Sequence, residues 1–209
     1  MLALMPWDKA AQAAADLAGG VENVVVLGIG NLLWADEGFG VRAVQELHRR
    51  WRFPKRVTLV DGGTQGYSLL HYVQAADKMI IFDAVDFDLP PGNLKVLRNE
   101  HVPRFMGAKK LSLHQTGFQE VLAIAELNGQ LPNELVLIGV QPEDFEDYGG
   151  SLRPVVRKQI EPALELALAN LLRWRCEPEP RGAETVEPLL PTGLDLAAFE
   201  MGCSQLGAL

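Results

Sequence analysis

Three side chains that lie far apart along the chain, Glu37, Asp83 and His114, have the types needed for metal chemistry. Two hard carboxylate oxygens and one imidazole nitrogen suit a divalent first-row ion such as nickel, zinc, manganese or iron. Three protein ligands would leave positions on the ion for water or substrate, as an enzyme requires. Spacing alone also admits a plainer reading. In it, Glu37 is a carboxylate at a helix start, Asp83 a loop cap and His114 a loop histidine.

Other chemistries fit less well. Gly28-Ile29-Gly30 after an apolar run suggests a dinucleotide loop, but Leu33 stands where the third glycine belongs. Asp36 and Glu37 also sit where the following helix begins, and two carboxylates there would repel a pyrophosphate. Gly66-Tyr67-Ser68-Leu69-Leu70 lacks the closing glycine of a serine-nucleophile elbow. The two cysteines, Cys176 and Cys203, lie beyond the core pattern, and no HExxH occurs. His48 and His71 fall in helical patterns as packing or surface residues, while His101 lies in a loop and has no assigned role.

The elements that must position these groups can be read from hydrophobic periodicity. VVVLG (24–28), VTLVDGG (57–63), KMIIFDA (78–84) and ELVLIGV (134–140) are short apolar runs, and NLKVLR (93–98) alternates. Amphipathic stretches lie between them: Val41, Val44, Leu47 and Trp51; Leu69, Leu70 and Val73; Phe118 to Ala125 on a helix beginning near Thr116. A long final helix runs from Val155 to Leu171, with a bend expected at Pro162. Continuous apolar strands separated by helices predict a three-layer α/β domain with a mostly parallel, twisted sheet of about five strands. In such a sheet ligands bind beyond the carboxyl ends of the strands, where Glu37, Asp61, Asp83 and the segment Ser112-Leu113-His114-Gln115 all fall.

Residues 23–176 carry this pattern. Residues 1–22 are expected to be an N-terminal extension: no basic segment precedes their apolar stretch, and Asp8, Lys9 and Asp16 interrupt it. Residues 177–209 hold six acidic residues and one basic one and are rich in proline, which predicts an extended acidic tail with a short helix at 194–201. The whole chain of 209 residues is 48% hydrophobic with a formal charge of −8. That composition excludes a wholly disordered chain and gives no general attraction for nucleic acid or anionic lipid. No run approaches the length of a membrane span, and the sparse cysteines fit a reducing, cytoplasmic compartment.

Several of these segments together resemble one family. LGIGNLLWADEGFGVRAVQEL (27–47), VDGGTQG (60–66), IIFDA (80–84), SLHQTG (112–117) and IGVQPE (138–143) are similar, in order and spacing, to the motifs of [NiFe]-hydrogenase maturation endopeptidases. DYGGSLRPVV (147–156) fits as well, and the similarity runs from about Val24 to Trp174. The resemblance implies an α/β fold and removal of a C-terminal peptide from the hydrogenase large-subunit precursor after nickel insertion. It also implies that Glu37, Asp83 and His114 are the metal-binding and catalytic positions, with Asp36 and Asp61 matching further acidic positions. Nickel would be carried by the substrate rather than held tightly by the enzyme. On that reading Glu37 or Asp36 is a candidate general base, and Asp61 would hold the peptide or orient a ligand. Lys109 and Lys110 are either solvated or drawn to an acidic partner, and the tail is a candidate tether to another maturation factor. A non-catalytic assembly chaperone on the same fold, and an aminopeptidase or amidase for small peptides, are the alternatives.

Overall fold

The computed structural model describes residues 22–103, 113–182, 186, 187 and 189, with the backbone alone for 113–116. The tail helix expected at 194–201, Lys109, Lys110 and residues 1–21 lie outside the described residues. Five strands form one sheet: β1 (Val24–Ile29), β3 (Val57–Gly63), β4 (Lys78–Ala84), β5 (Leu94–Arg98) and β6 (Glu134–Val140). Their order is β3-β1-β4-β6-β5. Every pairing is parallel except β5 with β6. All six residues of β1 are buried, as are six of the seven in β4 and in β6. That burial is what continuous apolar runs demand of a sheet covered on both faces.

Strand alternation sorts the core into two layers. Val24, Val26, Ile80 and Phe82 pack with helix α1 (Phe39–Arg50) and helix α5 (Ile160–Arg173). Val25, Leu27, Met79 and Ile81 pack with α2 (Leu70–Ala75) and α3 (Leu113–Leu127). The three-layer α/β architecture expected from periodicity is therefore the one observed.

Several local expectations need correction. The final helix is two helices, α4 (Pro154–Arg157) and α5, separated by Lys158 and Gln159. Pro162 sits in the first turn of α5, where its missing N–H costs no helical bond, so it marks a start and not a bend. Trp51 leaves α1 and begins the two-residue strand β2 (Trp51–Arg52). Helix α3 starts at Leu113, so His114 belongs to a helical turn and not to a loop. Apolar periodicity begins only at Phe118, and Gly117 argues locally against helix, which hid that first turn.

The acidic segment after Cys176 starts by docking on the domain. Strand β7 (Glu179–Pro180) pairs antiparallel with β2. Arg181 donates through Nε to the carbonyls of His48 at 2.9 Å and Trp51 at 3.0 Å, and Leu189 packs against the core.

Glycines set how closely α1 approaches the sheet. A Cβ on Gly28 would lie 2.3 Å from the Gly40 carbonyl oxygen. One on Gly40 would lie 2.2 Å from the oxygen of Phe82 and 2.3 Å from that of Ile29. The first glycine of the GxG pattern therefore serves helix-on-sheet contact, not phosphate binding.

Candidate active site

The carboxyl ends of β1, β3, β4 and β6 form one rim of the sheet. Seven polar or charged residues are buried among the described residues: Asp36, Glu37, Arg42, Asp61, Asp83, Gln141 and Asn170. All but Asn170 lie on this rim, at a strand end, in the loop that follows, or in the first turn of α1. Burying polar groups is costly, and six at one edge mark a site rather than a packing accident.

Glu37 follows β1 in a single 3-10 turn, Ala35–Gly38, that leads directly into α1. Its amide donates to the Trp34 carbonyl at 2.8 Å, and the residue is 7% exposed. Gly30, at φ 140°, lets the loop fold back so closely that a Cβ there would stand 1.8 Å from the Glu37 carbonyl oxygen. Only glycine accepts both that torsion and that approach.

Asp83 is fully buried near the end of β4, opposite Gly139 of β6. Its neighbours Phe82 and Ala84 face the α1/α5 layer, so alternation sends the Asp83 side chain to the α2/α3 layer. The same layer holds α3, whose first turn carries His114. Gly66 and Gly117 bring that turn to the rim, since a Cβ on Gly117 would sit 3.4 Å from the Gly66 Cα. The fold thus sets the backbone of His114 on the sheet face that receives Asp83. The His114 side chain lies outside the described residues. Among those described, no three histidine, cysteine, aspartate or glutamate side chains cluster as a metal group.

Asp36 has a different task from its neighbour. Its Oδ2 accepts N–H groups from Glu143 at 2.8 Å and Asp144 at 3.0 Å, and its Oδ1 accepts that of Arg153 at 2.7 Å. Three amides occupy the carboxylate, which makes it a brace for the loop after β6.

Asp61 lies two residues before the end of β3 and leaves the sheet on the α1 side, where Gln45 donates to its Oδ2 at 2.6 Å. Burial pushes its carboxyl above the ordinary aspartate range, opposed by the Gln45 bond and the Gly63 amide. Asp61 and Asp83 therefore leave the sheet on opposite faces. Gln141 was not anticipated from sequence. Its Oε1 accepts the Phe87 amide at 2.6 Å and its Nε2 donates to Asp86 at 3.1 Å, tying down the loop that follows Asp83. Arg42, also missed, is a buried cation with Nε 3.4 Å from where a Cβ on Gly38 would stand, next to Glu37. A lone glutamine after a strand and an arginine inside an amphipathic run carry no motif signal; only the rim position could have marked them.

Buried polar groups gathered at the carboxyl edge of a mostly parallel sheet mark this rim as the candidate site of an α/β protein. Comparison with known proteins narrows the class. A model of the hydrogenase maturation protease family matches residues 41–170, a span that includes Asp61, Asp83 and His114. The chain is 57% identical over 184 residues to the hydrogenase expression/formation protein HupM of Azotobacter chroococcum mcd 1, covering 88% of each chain. It is 43% identical to the hydrogenase 2 maturation protease of Escherichia coli (strain K12), over 77% of this chain and 98% of that one. The solved hydrogenase maturating endopeptidase HybD from E. coli superposes with a TM-score of 0.72 at 41% identity, over 76% of this chain and 98% of that one. The chain belongs to the hydrogenase maturation protease family, and so is a peptidase.

Proposed function

We propose that the protein removes the C-terminal peptide of a [NiFe]-hydrogenase large-subunit precursor in the cytoplasm, after nickel has been inserted. The observation that carries this reading is the concentration of buried polar groups, Glu37 and Asp83 foremost, at the rim that α3 also reaches. Nickel arrives as part of the substrate. Glu37, Asp83 and His114 complete its coordination, so a nickel-free precursor lacks the bridge that docks it. Discrimination then rests on a required ion rather than on a side-chain pocket. A divalent ion with open positions polarises a nearby carbonyl and acidifies bound water.

The chain's own residues bind, brace and exclude solvent. Asp36 and Gln141 hold the loops that carry Glu37 and follow Asp83. Glu37, on the turn that Asp36 braces, is the candidate base for the attacking water. Water adds to the scissile carbonyl, the C–N bond breaks, and the leaving amine takes the proton. This reading predicts a precursor made lighter by one C-terminal peptide, measured by mass spectrometry after incubation with the purified protein. Asp83→Asn and His114→Ala are expected to stay folded and leave the precursor mass unchanged. Normal processing of nickel-loaded precursor by both variants would refute the ligand assignment.

A further inference from the structure

Exposed apolar side chains are ordinary when scattered, so their placement is what carries information. Among the described residues the large exposed hydrophobics are Leu33, Tyr67, Leu89, Leu127, Tyr148 and Leu172. Four of these six follow the carboxyl ends of strands: Leu33 after β1, Tyr67 after β3, Leu89 after β4 and Tyr148 after β6. Each of the four parallel strands of the site therefore contributes one. The other two, Leu127 and Leu172, sit at the ends of α3 and α5, at the opposite edge of the sheet.

The β1 and β6 contributions are held together. Trp34 and Tyr148 pair as an isolated antiparallel bridge, and their rings meet edge to face with centroids 5.3 Å apart. The Gly149 amide donates to the Leu33 carbonyl at 2.7 Å. Beneath them Asp36 ties the same two loops through its amide bonds. Tyr148 is nonetheless 67% exposed. A rigid aromatic pair that is built into the backbone and still faces solvent suits a partner surface, since ordering it on binding costs little.

We infer that Leu33, Trp34 and Tyr148, flanked by Tyr67 and Leu89, form a docking surface for the large-subunit precursor and set the enzyme's affinity for it. The inference rests on the reading under Proposed function. The precursor is favoured as occupant because the surface is continuous with the site: Leu33 and Trp34 lie within four residues of Glu37, on the same loop. A protein substrate reaching the buried carboxylates must cross this rim. Aromatic residues are enriched where protein partners meet, and rigid ones there carry much of the affinity.

The test compares Tyr148→Ser, Leu33→Ser and the double variant with wild type. A Leu127→Ser, Leu172→Ser double variant serves as the control for exposed apolar residues elsewhere. The substrate is nickel-loaded precursor purified from cells that lack this protein. The double rim variant is expected to raise KM for the precursor by about tenfold or more with kcat little changed. The control variant should match wild type, and thermal unfolding should be the same for all. Unchanged KM in the rim variants, beside an active wild type, would overturn the docking surface and leave the proposed reaction standing. A wild-type protein that neither binds nor shortens the precursor would overturn both. Loss of a wild-type homodimer in the rim variants, with KM unaltered, would assign the surface to self-association and overturn the inference.

Discussion

Asp36 and Glu37 are adjacent acids whose carboxylates the fold uses differently. Asp36 accepts three part-buried amides, and Asp36→Ala removes the acceptor of all three. We expect it to cost about 3–5 kcal/mol in urea unfolding, with a loss below about 1 kcal/mol counting against the brace. Asp61 offers a test by pH. Its folded carboxyl is raised above the ordinary value of 3.8, chiefly by burial. A carboxyl raised on folding supports the native state below its unfolded pKa, and that support is lost as pH rises through the folded pKa. Wild type should therefore gain stability relative to Asp61→Asn as pH falls through that window, measured by paired denaturation curves. A difference independent of pH would contradict the desolvation argument. At this scale the sequence singled out the acids that the fold buries but not what each of them contacts. The types and spacing of Glu37, Asp61 and Asp83 were legible, whereas the occupation of Asp36 depends on amides more than a hundred residues away.

The elements were legible wherever burial imposes a period. β1, β4 and β6 are buried on both faces and read as continuous apolar runs. The first turn of α3, the two-residue strands β2 and β7, and the α4–α5 break were not, because one turn or one pair of residues leaves no period to detect. The docking of Glu179–Pro180 and Arg181 includes Arg181 reaching two backbone carbonyls, a long-range contact that a proline-rich, acidic composition conceals. The close seating of α1 gives the element-scale prediction. Gly40→Ala would place a methyl against the Phe82 and Ile29 oxygens and push α1, with the Glu37 turn that leads into it, off the sheet. Destabilisation of about 2–4 kcal/mol is expected, with lowered processing. Gly182→Ala, which meets nothing within 4 Å, should be silent. Equal thermal stability of the two variants would refute the packing account.

Across the whole molecule, the parallel sheet gathers chemistry at one edge. β1, β3 and β4 carry buried carboxylates near their carboxyl ends or lead into them, and the backbone of α3 begins on the same edge. No described helix is long and apolar enough to cross a membrane. The family and the fold were readable from five ordered motifs, because four of them cover a strand end and the fifth opens helix α3. The proposed role for nickel rests on the resemblance of these motifs and on the buried carboxylates at this rim. The direct measurement is therefore processing of one precursor preparation, nickel-loaded or nickel-free, by wild type and by Glu37→Gln, followed by intact mass. The account predicts a shortened product only for wild type with nickel-loaded precursor. Equal shortening of nickel-free precursor by wild type, or full processing by Glu37→Gln, would contradict it.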